Sequence, residues 1–143
     1  MGTVRSAPKG LITKPPQFGD EKVLRASKIL VLDPAYEVSE DDLEAPAADE
    51  VELVFDFTKG TSTGCRIRID TSDDKATWVQ QSVFDTTVMK LNRLEVNLVE
   101  TAIRSFRFVP GRRYIRSSAV ALNAIVGTLL KITGKAIHGV RTR

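Results

Sequence analysis

Three aspartates lie close together at a bend of the chain: Asp70, Asp73 and Asp74, within GTSTGCRIRIDTSDDKATWVQ at 60–80. Neighbouring carboxylates can bind a cation or supply acid chemistry, and they also hydrogen-bond their own backbone to initiate a turn. An EF-hand calcium loop needs a longer series of ligands, with a central glycine and a terminal glutamate, which this stretch lacks. We therefore interpret the three aspartates as turn residues, and calcium binding by the acidic turn is the alternative.

Other residues capable of chemistry are few. His138 is the single histidine and Cys65 the single cysteine. No HExxH, GxxxxGK[ST] or strand-linked GxGxxG motif accompanies them. GTSTG at 60–64 has the GxSxG spacing, but it lies in a predicted turn between two strands and not at a strand-to-helix elbow, so neither a hydrolase centre nor a nucleotide-phosphate site is indicated. Cys65 alternates in phase with Ile67 and Ile69, which predicts a small core residue. The sequence therefore predicts a protein that is not an enzyme and has no cofactor or metal.

The chain of 143 residues has the length of one domain. No apolar run approaches the roughly 18 residues that span a bilayer, and the first residues lack the apolar region of a secretory signal. We expect synthesis in a cytoplasm and no membrane partner.

The elements that position these residues are predicted to be strands. Residues 51–57 and 65–70 alternate apolar with polar side chains, which is typical of half-buried strands. Further strands are predicted at 77–84, 93–99 (with Leu94, Val96 and Leu98 inward), 104–109, 113–122 and 128–137. Residues 22–32 could form a strand or a short helix, and the β-branched Ile29 and Val31 favour a strand. The leucines of 87–103 also nearly fit a helix. The fold class is all-β, a single antiparallel β-sandwich or jelly roll.

The organisation along the chain follows from composition. Residues 1–20 hold three glycines and three prolines without an alternating pattern, which predicts an extended N-terminal arm. Residues 21–50 read as a strand followed by an acidic linker rich in alanine and proline, and residues 51–143 as the sandwich.

Charge is strongly segregated. Residues 33–56 contain ten acidic and no basic side chains, and residues 104–143 contain nine lysines and arginines and no acidic side chain. Strand alternation would divide the basic residues between two faces, so a nucleic-acid partner is not favoured. We expect instead that the acidic linker of one copy contacts the basic strands of another, in a homo-oligomer that we expect to be a trimer. The candidate interface residues are Arg112, Arg113, Arg116, Glu40, Asp41, Asp42 and, in the arm, Pro15, Pro16 and Phe18.

Two segments carry a resemblance to a known group of proteins. VELVFDFTKGTSTGCRIRIDTSDDKATWVQ, followed by FRFVPGRRYIRSSAVALNAIVGTLLKITGKAI, resembles small β-sandwich virion proteins of tailed bacteriophages over about residues 51–137. The resemblance implies a capsid decoration or auxiliary head protein, often trimeric, or another head or neck component. It implies no catalytic residues, a major capsid protein as partner, and a location on the virion head.

A second class remains open, because RYIR also occurs in discoidin-like carbohydrate-binding sandwiches. Those modules present aromatic and polar residues on loops at one end of the sandwich. Trp78, the only tryptophan, starts a predicted strand, and we expect it to pack in the core and not to form a sugar platform.

Overall fold

The computed structural model describes residues 17–85 and 89–139, and these residues form strands and turns. The thirteen strands are β1 Gln17–Phe18, β2 Lys22–Ile29, β3 Glu37–Val38, β4 Leu43–Glu44, β5 Glu50–Thr58, β6 Gly64–Ser72, β7 Val79–Gln80, β8 Ser82–Asp85, β9 Lys90–Arg93, β10 Glu95–Leu98, β11 Ala102–Phe108, β12 Tyr114–Leu122 and β13 Leu129–His138. Within the described ranges, no helix has the length and apolar character needed to cross a membrane.

The strands form two main antiparallel sheets and one hairpin. Sheet A has the order β1-β13-β5-β11, with β2 also paired to β13. Sheet B has the order β10-β6-β12-β3, with β4 also on β12 and β7 also on β6. The strands β8 and β9 pair only with each other. Sheets A and B pack face to face, so the predicted antiparallel β-sandwich is confirmed.

The core lies between the sheets and arises from the period-two pattern. In β5, Val51, Leu53, Phe55 and Phe57 are all at most 1% exposed, while the residues between them face outward. In β6 the same alternation buries the odd-numbered residues from Cys65 to Ile69. Because successive side chains of a strand point to opposite faces, this pattern fixes which face each sheet turns to the core.

The acidic segment is part of the sandwich, which corrects the prediction that residues 33–50 form a free linker and that the sandwich begins at residue 51. The strands β3 and β4 pair with β12, and Leu43 and Ala45 are buried at 5% and 2% exposure. The strand β2 likewise belongs to sheet A. The prolines and alanines rule out a long strand here, but they permit two short strands that extend the edge of sheet B.

Two further predictions about strands need adjustment. The stretch 77–84 is not one strand, because β7 and β8 are separate and pair with different partners. Within 89–103, the leucines that nearly fit a helix lie in β9 and β10 or next to them. Leu94 is buried and Val96 and Leu98 pack against the core, as predicted. The predicted arm lies outside the described residues except for 17–20, where β1 pairs with the end of β13.

Candidate interaction surfaces

Asp74 shapes the turn after β6. Its Oδ1 accepts hydrogen bonds from the backbone N–H groups of Ala76 at 2.8 Å and Thr77 at 3.0 Å, and from the Ser72 hydroxyl at 3.0 Å. The two backbone donors, followed by Ser72, lower the pKa of Asp74 because they stabilise its charged form. The interpretation as a turn residue is confirmed for Asp74.

The other two aspartates pair with arginines. An Asp70 oxygen lies 3.4 Å from Arg116 Nε, and an Asp73 oxygen lies 3.5 Å from Arg112 Nε. The three carboxylates thus satisfy three different sets of donors. Within residues 17–85 and 89–139, no group of three or more histidine, cysteine, aspartate or glutamate side chains is placed to hold a metal ion.

Cys65 is a core residue, as predicted. Its side chain is fully buried, and burial raises the pKa of the thiol to about 12. At neutral pH the thiol is therefore protonated, and a protonated thiol is a poor nucleophile. His138 is half-buried at the end of β13, opposite Gln17 of β1.

The predicted interface arginines all have partners within their own chain. Arg113 Nη2 lies 2.6 Å from Glu44 of β4, and Arg112 and Arg116 pair with Asp73 and Asp70 as described. The contact of these arginines with Glu40, Asp41 and Asp42 of another copy stays a prediction. A second copy would have to displace partners that the fold already supplies.

The acidic residues that we predicted at the interface, Glu40, Asp41 and Asp42, also have partners within their own chain. Glu40 accepts the backbone N–H of Ala26 at 2.9 Å and lies 2.7 Å from Lys28 Nζ. Burial would raise the pKa of Glu40, but the hydrogen bonds from Lys28 and Ala26 outweigh it and lower this pKa. Asp41 lies 3.2 Å from Lys22, and Asp42 lies 3.4 Å from Lys75.

These contacts give the acidic segment a structural role that its sequence did not reveal. Both Lys22 and Lys28 belong to β2, so Glu40 and Asp41 lie along the outer side of that strand. In addition, the Asp41 N–H donates to the Leu24 carbonyl at 3.0 Å. The acidic segment therefore covers the outer edge of β2.

Phe18, the arm residue that the structure describes, lies on the outer face of sheet A. It is 52% exposed, with Lys135 Nζ 4.9 Å and Arg107 Cζ 5.8 Å from its ring centroid. These distances are in the range of cation–π contacts. Pro15 and Pro16 lie outside the described residues, so their predicted interface role stays a prediction.

The outer face of sheet B carries stacked arginine–aromatic pairs that the sequence did not predict. Arg68 lies 3.8 Å from the ring centroid of Tyr36, and Arg116 lies 4.4 Å from that of Trp78. The Trp78 indole N–H also donates to the Lys75 carbonyl at 3.1 Å. The prediction that Trp78 packs in the core is wrong: it is half-buried just before β7, outside the core cluster.

Two open clefts lie at the margins of the sandwich. One, of about 350 Å³, separates residues 45–48 from residues 110–113, and the other, of about 450 Å³, lies between residues 19–22, β4 and the end of β13. None of their lining residues is a serine, threonine or cysteine. Neither cleft therefore offers a hydroxyl or thiol nucleophile.

Comparison with known proteins finds a similarity of fold and none of sequence. The sequence matches no protein-family model and no curated protein. Among solved structures, the chain is similar to the SPBc2 prophage-derived protein YomS, with 12% sequence identity and a TM-score of 0.55. The likeness covers 90% of this chain and 99% of that chain. It shows a shared fold.

Proposed function

We propose that this protein is a non-enzymatic structural protein of a tailed-phage virion, and more specifically a capsid decoration protein. The observation that carries the proposal is the fold shared with a prophage-derived protein over 90% of the chain. The resemblance of residues 51–137 to virion β-sandwich proteins points the same way. The finer assignment, to the outer surface of the head, rests on that resemblance.

The use of the chemically capable side chains supports a structural role. Asp74 stabilises a turn, Cys65 fills the core, and Asp70 and Asp73 hold arginines. On the basic strands, Arg107 and Lys135 share Glu52 at 3.1 and 3.3 Å. Cations already paired with carboxylates release fewer counterions on binding phosphate, which argues against nucleic acid as partner.

The proposed mechanism is stabilisation by mass action. A protein that binds the assembled lattice of the major capsid protein, but not its free subunits, favours the lattice by RT ln(1 + [L]/Kd). This corresponds to about 2.7 kcal/mol per site at a hundredfold excess over Kd. A homotrimer, our proposed oligomer, would multiply the effect by binding several subunits at once. The protein would be synthesised in the host cytoplasm and would act on the head surface.

Purified particles test the proposal directly. We expect mass spectrometry of gradient-purified virions to find this chain in the particle, and electron microscopy to place it on the outer surface of the head. Recombinant protein added to undecorated capsids should bind saturably and raise their dissociation temperature. A chain found in the neck or tail would retain the virion role and refute the decoration role, and its absence from particles would refute both.

A carbohydrate-binding module is the second candidate, and the surface position of Trp78 favours it. Trp78 and Tyr36 lie on one sheet face beside polar side chains, as in sites where aromatic rings stack on sugars. However, Arg116 already lies over the indole ring. If glycans quench the Trp78 fluorescence of the native protein but not that of Arg68→Ala or of the heat-unfolded chain, a sugar-binding function replaces decoration.

A further inference from the structure

The two edges of sheet A differ in how they are covered. On one side, the acidic segment lies along the outer edge of β2 through the Ala26–Glu40 and Asp41–Leu24 hydrogen bonds. On the other side, β11 pairs with β5 along all seven residues, and no described strand pairs with its second side. Every other residue of an antiparallel strand directs its N–H and C=O away from its partner. Among the described residues, the outer side of β11 therefore presents backbone groups that no strand pairs with, and Arg104 Nη1 lies 3.5 Å from the Ile103 carbonyl.

Apart from two arginines, the β11 edge lacks the features that usually block strand addition. It has no proline, its register with β5 shows no bulge, and it is longer than the edge strands of sheet B. Ile103 is 66% exposed on it. Arg104 and Arg107 are its charged side chains, and Glu52 holds Arg107 at 3.1 Å. An edge of this kind is suited to accept a further strand from another chain.

We propose that the β11 edge binds residues 9–14 of the N-terminal arm of a second copy of this chain as an added strand. KGLITK at 9–14 is the proline-free run between Pro8 and Pro15, and it is the proline-free run of the arm nearest to β1. It contains Leu11, Ile12 and Thr13, and the β-branched Ile12 and Thr13 favour strands. Prolines at both ends confine pairing to this run, because proline cannot donate a ladder hydrogen bond. Its six residues nearly match the seven of β11.

Chain length requires that the arm comes from another copy. From β1, an added strand beside β11 is four strand spacings away, across β13, β5 and β11, or roughly 19 Å at about 4.8 Å per spacing. The run ends at Lys14, three residues before Gln17 of β1. Three extended residues reach at most about 11 Å. The arm therefore cannot pair with the β11 edge of its own sheet.

Pairing between copies has a defined symmetry. The donor site, where the arm leaves β1, and the acceptor site, β11, lie at opposite edges of sheet A. Such a contact is heterologous, and it forms a closed ring when the rotation between copies permits. A ring of three would account for the proposed trimer. The inference deepens the self-association part of the proposed function, but solution experiments without capsids test it separately.

Cross-linking between two singly substituted chains tests the contact. One chain carries Thr13→Cys in the arm and the other carries Ser105→Cys, an exposed position in the middle of β11. The native Cys65 is fully buried, so it does not compete for the reagent. We expect a short bismaleimide to join the two chains when they are mixed. As a matched control, Asn97→Cys, exposed on the sheet B edge strand β10, should give only background with the same arm chain.

The oligomeric state gives the second readout. Sedimentation of the full chain should show an oligomer, and Ile12→Pro should raise its dissociation constant at least about tenfold, because the run loses ladder hydrogen bonds. Ser6→Pro, outside the run, should leave the constant unchanged. Circular dichroism of Ile12→Pro should match that of the native chain.

Four results would overturn the proposal. They are a monomeric full-length chain at roughly 100 µM, an oligomer unaffected by Ile12→Pro, equal cross-linking to β10 and β11, and dimers cross-linked through Ser105→Cys alone. The last result would indicate that two β11 edges pair with each other. Loss of capsid binding with the oligomer intact would refute decoration and leave this inference standing.

Discussion

The buried arginine of β2 offers the most informative stability experiment. Arg25 is 1% exposed, and its Nη1 lies 2.7 Å from an oxygen of Glu37, whose side chain is 35% exposed. Its Nε donates to the Leu130 carbonyl at 3.0 Å, and its Nη2 donates to the Ile29 carbonyl at 3.1 Å. The guanidinium therefore joins β2 and β13 of sheet A to β3 of sheet B.

The substitution Glu37→Gln keeps the shape of the partner and removes its charge. The buried guanidinium would then face only neutral acceptors, and breaking a buried ion pair from one side costs about 3–5 kcal/mol. Because Glu37 is partly exposed and glutamine can still accept a hydrogen bond, we expect a loss of about 2–3 kcal/mol. The unfolding entropy of 143 residues is about 0.3 kcal/mol/K. The melting temperature should therefore fall by about 7–10 °C.

The free energy of unfolding is measured by urea unfolding monitored by circular dichroism. The variants are Glu37→Gln, Arg25→Met, the double variant that carries both substitutions, and a control at an exposed ion pair. Removing both partners leaves no uncompensated charge, so the double variant should be more stable than the summed losses by about 1–3 kcal/mol. The control is Glu44→Gln, which breaks the Arg113–Glu44 pair. This pair is about as short, at 2.6 Å, as the Arg25–Glu37 pair, but its side chains are 51% and 49% exposed. It should cost less than about 1 kcal/mol. Equal losses for the two glutamine variants, or strict additivity, would refute the reasoning from burial.

Three further outcomes follow from single sites. Asp74 has a folded-state pKa below its ordinary value of 3.8. Its charged form therefore stabilises the native state above that pH, and this contribution is lost as the pH falls through the folded-state pKa. Between about pH 5 and about pH 2, the free energy of unfolding should fall less in Asp74→Asn than in the native chain. A Cβ added at Gly60, whose φ is +57°, would clash with backbone atoms of Val126 and Gly127. Gly60→Ala should therefore lower the free energy of unfolding by at least about 2 kcal/mol. Gly111 is the control, because a Cβ there would lie 3.3 Å from the Gln81 side chain. Gly111→Ala should change the free energy of unfolding by less than about 1 kcal/mol. If the acidic turn needs no cation, EDTA should leave the melting temperature unchanged, and a drop of several degrees would indicate a structural ion.

The strands with the clearest alternation could be predicted from sequence because their signal is local. The predicted strands at 51–57 and 65–70 lie within β5 and β6, which extend them by at most two residues at either end. Both strands have a neighbour on each side in their sheet, and one face of each is buried along its length. A period-two pattern reports that kind of burial directly.

The acidic segment and Arg25 could not be predicted because their environment is set by residues far away in sequence. The strands β3 and β4 have two residues each, too few to show a period. Arg25 looks like an exposed residue in KVLRASKIL, and its acceptors on Glu37 and Leu130 are 12 and 105 residues away. Trp78 was misplaced for a related reason, since the strand that follows it, β7, has only two residues and Trp78 lies before it, outside the core.

The internal use of charge changes which parts of the surface remain for assembly. From sequence, the ten acidic side chains of 33–56 and the nine basic ones of 104–143 looked like complementary surfaces of two copies. In the fold, Glu44 and Glu52 of this acidic region bind arginines of the basic region, as does Asp70, which lies outside 33–56. Glu40 and Asp41 bind lysines of β2. The contacts of Glu40 and Asp41 also cover the edge of β2, whereas no described strand covers the outer edge of β11. Because backbone hydrogen bonds at an edge are much less sensitive to salt than exposed ion pairs, association through β11 would persist at ionic strengths that abolish charge pairing between copies.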